Sequence, residues 1–173
     1  MFKHPRLIVL VLSIVCTSEA CTRGDSLEDL GDQRSSGTSE DGNDAALAKV
    51  SAAVRAISQP EPTVDQVAAA MEGAIKVRTK SQALIYYDGY RVIFVTPRDR
   101  VTQVTFQLVE AKPSMRQLSD VFGTPIVTDT GVIFEHSSSS TGARLHILAE
   151  PVSMPPDDRT LVQRIVVRGA RGL

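Results

Sequence analysis

Few residues in this 173-residue chain are of types that do chemistry. Beyond the first twenty positions these are two histidines, His136 and His146, and one cysteine, Cys21. Glu135 beside His136 offers two metal-ligand types, but neighbours on an extended strand point to opposite faces, and no second His or Cys stands at ligand spacing. Both histidines therefore read as ordinary strand residues, and no metal site is expected. The run Ser137 to Ser140 lacks the Gly-x-Ser-x-Gly context that holds a serine as a nucleophile. Asp157 and Asp158 beside Arg159 have the composition of a turn rather than of a general acid/base pair. Neither a phosphate-cradling glycine loop nor a dinucleotide fingerprint occurs. The expectation is a non-enzymatic protein with no cofactor and no small-molecule substrate.

Cys21 invites a different chemistry. Met1 to Arg6 is short and basic, Leu7 to Cys16 is an apolar run too short to span a bilayer, and Thr17 to Ala20 is small and polar. That order is expected of a secretory signal peptide over residues 1–20. Ser18-Glu19-Ala20 before Cys21 suits an ordinary signal peptidase. It also resembles a bacterial lipobox, in which Cys21 becomes the lipidated first residue. After either cut Cys21 has no partner for an intramolecular disulfide, and a lone thiol is a liability in an oxidising compartment. Lipidation of Cys21 removes that liability, and Thr22 is compatible with transfer to an outer membrane, facing the periplasm. Residues 21–43 are rich in Gly, Ser and acids, with Leu27 and Leu30 as their only large apolar residues, and read as a disordered acidic tether. Arg23-Gly24-Asp25 within it is read as a chance triplet.

Residues 44–173 form the folded part. Leu47, Val50, Val54 and Ile57 make the apolar stripe of a helix over 44–58, and Val64, Val67, Met71 and Ile75 that of a second over about 64–78. Hairpin strands follow at 82–88 and 90–96 around Asp88-Gly89, then a strand at 101–109. Pro113 to Pro125 encodes a third helix. Ser114 and Gln117 have capping-box spacing, Met115, Leu118 and Phe122 share a face, and Gly123 with Pro125 ends it. Strands are expected at 132–136, 143–149 and 160–168. Shifted by 51 positions, Pro62, Thr63, Gln66, Val67 and Met71 fall on Pro113, Ser114, Gln117, Leu118 and Phe122, which reads as an internal repeat. The expected fold is a two-layer α+β domain. Two helix-β-β-β halves, about 62–109 and 113–169, form a six-stranded antiparallel sheet with helices packed on one face.

Such a sheet leaves its other face open. Alternation assigns Gln103, Thr105 and Gln107 to that face, and Arg164 with Arg168 in the last strand, where the set Val162, Arg164, Val166 and Arg168 points one way. Beyond Asp44 the chain carries a net charge of about +3, with arginines concentrated late. A basic sheet face suits an acidic protein partner or an anionic glycan. Nucleic acid is not expected, because no basic stretch has interleaved aromatics.

Ser114, Gln117, Leu118, Phe122, Gly123, Thr124 and Pro125, followed by the strands VIFEH and ARLHILA, resemble the SmpA/OmlA (BamE) family of small outer-membrane lipoproteins. That family has a short helix starting after Thr or Ser and ending in Gly-x-Pro, followed by a hairpin. The resemblance implies a lipid-anchored envelope protein that binds another cell-envelope protein in outer-membrane assembly or maintenance. Doubling of the unit is similar to β-lactamase-inhibitor proteins, in which tandem helix-plus-sheet repeats present a concave sheet. This implies the alternative of an inhibitor or immunity lipoprotein that blocks a secreted hydrolase or toxin.

Overall fold

In the computed structural model, which describes residues 38–169, apolar stripes and caps account for most element boundaries. Helix α1 spans Thr38–Ile57 and buries Leu47, Val50, Val54 and Ile57, with Ala46 and Ala53 allowing close approach. It begins six residues before the expected start at Asp44, so residues 38–43, assigned above to the tether, are helical. Glu40 and Asp41 in its first turn favour this extension by facing the positive end of the helix dipole. Gly42 and Asn43 concealed it in the sequence.

Helix α2, Val64–Ala70, starts at a reciprocal cap. Gln66 N–H donates to Thr63 Oγ1 (3.3 Å) and Thr63 N–H donates to Gln66 Oε1 (3.0 Å). The expected helix to residue 78 is overturned. Glu72 has a φ of 53°, and a side chain at Gly73 would place its Cβ 2.3 Å from the Tyr87 hydroxyl. Tyr87 O–H donates to the Met71 carbonyl (2.9 Å) and so takes up a backbone acceptor freed at the helix end. The chain then enters strand β1, Val77–Arg78. Arg78 reaches Asp65 of α2 (3.0 Å) and Asp99 of the turn Pro97–Asp99 (2.6 Å).

Strands β2 (Gln82–Tyr87), β3 (Tyr90–Val95) and β4 (Gln103–Leu108) follow, then α3 (Met115–Phe122), β5 (Ile126–Thr128), β6 (Gly131–Ser137), β7 (Arg144–Pro151) and β8 (Val162–Gly169). The fold is α+β, with three helices and an antiparallel sheet of eight strands rather than six. Its order is β1-β2-β3-β4-β8-β7-β6-β5. The two extra strands, β1 and β5, are the edges. At two and three residues they are too short to show a period, and short edges also limit strand addition.

The hydrophobic core lies on one face of this sheet. Ala83, Phe94, Val104, Val167, Ile147 and Phe134 stand in register across six strands, and each is buried. Stripes from all three helices join them in a single cluster, with the Phe122 ring 6.1 Å from that of Phe134.

Both helix starts are tied to the sheet in the same way. Val101 N–H donates to the Pro62 carbonyl (2.8 Å) and Val162 N–H to the Pro113 carbonyl (2.9 Å). The caps Thr63 and Ser114 bridge Arg100 and Leu161. The α3 cap repeats the reciprocal pair: Ser114 N–H donates to Gln117 Oε1 (2.9 Å) and Gln117 N–H to Ser114 Oγ (3.3 Å). Ser114→Ala should therefore cost about 1 kcal/mol of stability. Urea unfolding with an unchanged slope checks this, and a loss below the error of the fit would show that the cap is dispensable.

Candidate functional site: the open face of the sheet

The second face of the sheet is apolar along its middle. Strand register aligns Leu84, Ile93, Thr105, Val166, Leu148 and Ile133 across β2, β3, β4, β8, β7 and β6, with Val77 and Ile126 closing the row on the edge strands. At ~4.8 Å per strand this band is about 34 Å long. Among the described residues, Thr105 is the only buried side chain on this face. Strands apolar on both faces normally lie between two covering layers, whereas a half-covered antiparallel sheet is polar outside. Here the inner layer is the helices, and the described residues supply no outer one.

Polar rows flank the band on either side. One holds Arg91, Gln107, Arg164 and Glu150, the other Gln103, Arg168, His146 and Glu135. Arg91 Nε donates to Gln107 Oε1, Arg164 forms an ion pair with Glu150, and Gln163 Nε2 donates to Glu150 Oε1 (3.1 Å). Arg168 is exposed and enters no ion pair among the described residues. Two shallow hollows lie along the band: one of 200 Å³ bordered by Val77, Leu84, Ile93 and Arg91, the other of 140 Å³ bordered by Ile133, Leu148, Val166 and Arg164.

Of the residues assigned to this face from sequence, Arg164 and Arg168 are exposed on it, and Gln103 and Gln107 are half-buried. Thr105 needs correction as a contact residue. It sits at the centre but is only 9% exposed, its Oγ1 accepting from Gln103 Nε2 (3.1 Å). The simple alternation in the last strand also fails at its start. A register shift between Glu150 and Pro151 turns Val162 into the core, away from Arg164. Leu84, Ile93, Leu148 and Ile133 also lie on this face, beyond the residues that strand alternation assigns to it. Their signal was available, since Leu84-Ile85, Val92-Ile93-Phe94 and Ile147-Leu148 are apolar at consecutive positions and so on both faces.

The chemistry-bearing residues do not converge. Glu135 and His146 are cross-strand neighbours on the open face, while His136 pairs with Leu145 on the core face. Among the described residues, no three metal-ligating side chains come together. Asp157 accepts from Thr160 Oγ1 (2.7 Å) and from the Arg159 N–H (3.0 Å), which hold its carboxyl below the usual range and close a turn. Burial, with Glu72 nearby, pushes the Tyr87 phenol up to about 12, and burial raises Tyr90 further. Neither phenol ionises near neutral pH. Comparison of the chain with protein-family models, curated proteins and solved structures gives no match. Cys21, the expected signal peptide and residues 22–37 lie outside the described residues, and no described helix is long and apolar enough to cross a membrane.

Proposed function

We propose that this chain is a non-enzymatic lipoprotein of the bacterial envelope, held by Cys21 to the outer membrane on its periplasmic side. It binds another envelope protein, in assembly or maintenance of that membrane, through the open face of its sheet. The observation that carries this reading is the apolar band bordered by rows of arginines, glutamines and acids. An apolar centre with a polar, Arg-bearing rim is the anatomy of a protein interface. At a width of ~20 Å, six residues of strand, the face offers about 700 Å². That is close to the roughly 800 Å² each partner contributes to a stable complex.

The domain is also proposed to contain two copies of one helix-plus-strands unit forming a helix layer and a sheet layer. Support comes from the matching caps at Thr63/Gln66 and Ser114/Gln117 and the matching ties Pro62–Val101 and Pro113–Val162. The same doubling favours the second reading, an inhibitor or immunity lipoprotein seated on a secreted hydrolase or toxin. A purified complex separates the two: an outer-membrane assembly component supports the first, and a hydrolase or toxin the second.

The anchor has its own test. Cys21→Ser should move the protein from the membrane fraction to the soluble periplasm and abolish uptake of labelled palmitate. A wild-type protein that takes up no label, with a variant that still sediments with membranes, would contradict the anchor.

A further inference from the structure

At one end of the sheet, β4, β7 and β8 border a hollow of 560 Å³, within the size range of small-molecule sites. Its polar lining is Gln103, Arg144, His146 and Arg168, with Thr102 beside them, and among the described residues no acidic side chain lines it. Strand register places Gln103 and His146 directly opposite Arg168 on either side. Arg144 lies two residues from His146 on the same face of β7. It is thus diagonal to Arg168, with Cα atoms about 7–8 Å apart, within reach of one shared ligand. Arg78, Arg100 and Arg164 each have a carboxylate partner, whereas Arg144 and Arg168 enter no ion pair among the described residues. Glu135, the cross-strand neighbour of His146, is exposed and outside the lining. The rest of the wall is largely apolar, with half-buried Pro62 and exposed Pro97 accessible and Ile57, Val101 and Leu145 buried behind them.

We infer that this hollow binds an organic phosphate, a phosphate group gripped by Arg144 and Arg168 and carried on an apolar body that lies against Pro62 and Pro97. Two guanidinium forks on separate strands decide the chemistry. A carboxylate offers two oxygens and a single charge to share between two forks, whereas a phosphate monoester offers three terminal oxygens and a second charge, matching two guanidinium groups better. Gln103 adds an amide donor and His146 a ring nitrogen. The apolar wall selects for a carrier, because inorganic phosphate would leave it unused. This inference goes beyond the proposed protein contact and does not depend on it, so no protein partner enters its test.

The test is equilibrium titration of the full chain with phenyl phosphate at physiological ionic strength, with inorganic phosphate and benzoate as comparators. One saturable site is expected, tighter for phenyl phosphate than for either comparator. Arg144→Ala and Arg168→Ala should each weaken it at least about tenfold, as expected for loss of a hydrogen-bonded charge. Arg55→Ala, exposed on α1, should leave it unchanged. Thermal unfolding of every variant at the wild-type temperature ensures that the losses are local. A parallel arm uses neutral phosphatidylcholine vesicles with and without phosphatidic acid. Binding to phosphatidic acid vesicles alone, lost in both arginine variants, supports the site and identifies a lipid phosphate as its source. Binding of phenyl phosphate identifies a soluble source. Absence of binding in both arms, benzoate binding as tight as phenyl phosphate, or affinities unaltered by Arg144→Ala and Arg168→Ala would overturn the inference.

Discussion

Phe106→Ala is expected to destabilise the domain by about 3–5 kcal/mol, a large part of the 5–15 kcal/mol typical of a folded domain. Phe106 is fully buried on β4, one of the two strands at the middle of the sheet. In register it lies between Val92 and Ile165, and its ring is 6.4 Å from that of Tyr90. Truncation removes its own burial and leaves a cavity that hydrogen-bonded strands on both sides cannot close. Val109→Ala, one position beyond β4 at a side chain 64% exposed, should stay within about 0.5 kcal/mol. Urea unfolding of the two variants side by side measures the difference. Equal and small losses would show that the middle of the core is not packed as described.

Arg164→Glu combined with Arg168→Glu should weaken partner binding by about 2–4 kcal/mol, or roughly 30- to 1,000-fold, while stability changes by little more than about 0.5 kcal/mol. Both arginines are exposed, and they flank Val166 at the middle of the apolar band. Arg164 already faces Glu150, so its reversal places two acids together, and Arg168→Glu reverses a charge that has no carboxylate partner among the described residues. Because surface charges act in high dielectric, the folded state tolerates the change, whereas a desolvated interface does not. Binding kinetics and urea unfolding on the same preparation separate the two effects. Unchanged binding with clear unfolding would make these arginines structural and place the contact elsewhere.

How much of this was legible in the sequence depended on how local each determinant is. The caps at Thr63/Gln66 and Ser114/Gln117, the turn at Asp88-Gly89 and the stop at Gly123 need only four to eight consecutive residues, and each is found where the residues place it. The end of α2 was not legible, because it depends on Tyr87 and Ile85 crowding Gly73 from a strand formed later in the chain. Edge strands β1 and β5 exist through pairing with β2 and β6 and carry no period of their own. The site was half legible. Arg164 and Arg168 followed from alternation along one strand. The band through Leu84, Ile93, Val166 and Leu148 appears only when strand order brings β4 beside β8, so that β1–β4 and β5–β8 share one face.

Site-specific photo-crosslinking in living cells tests the role of that face. A photoreactive residue would replace Ile93, Leu148 or Val166 on the band, or Asp65 on α2 and Asp120 on α3 as exposed positions on the helices. One and the same envelope protein is expected to be captured from all three band positions and from neither helix position. Capture from the helices alone, or unrelated products from each band position, would contradict it.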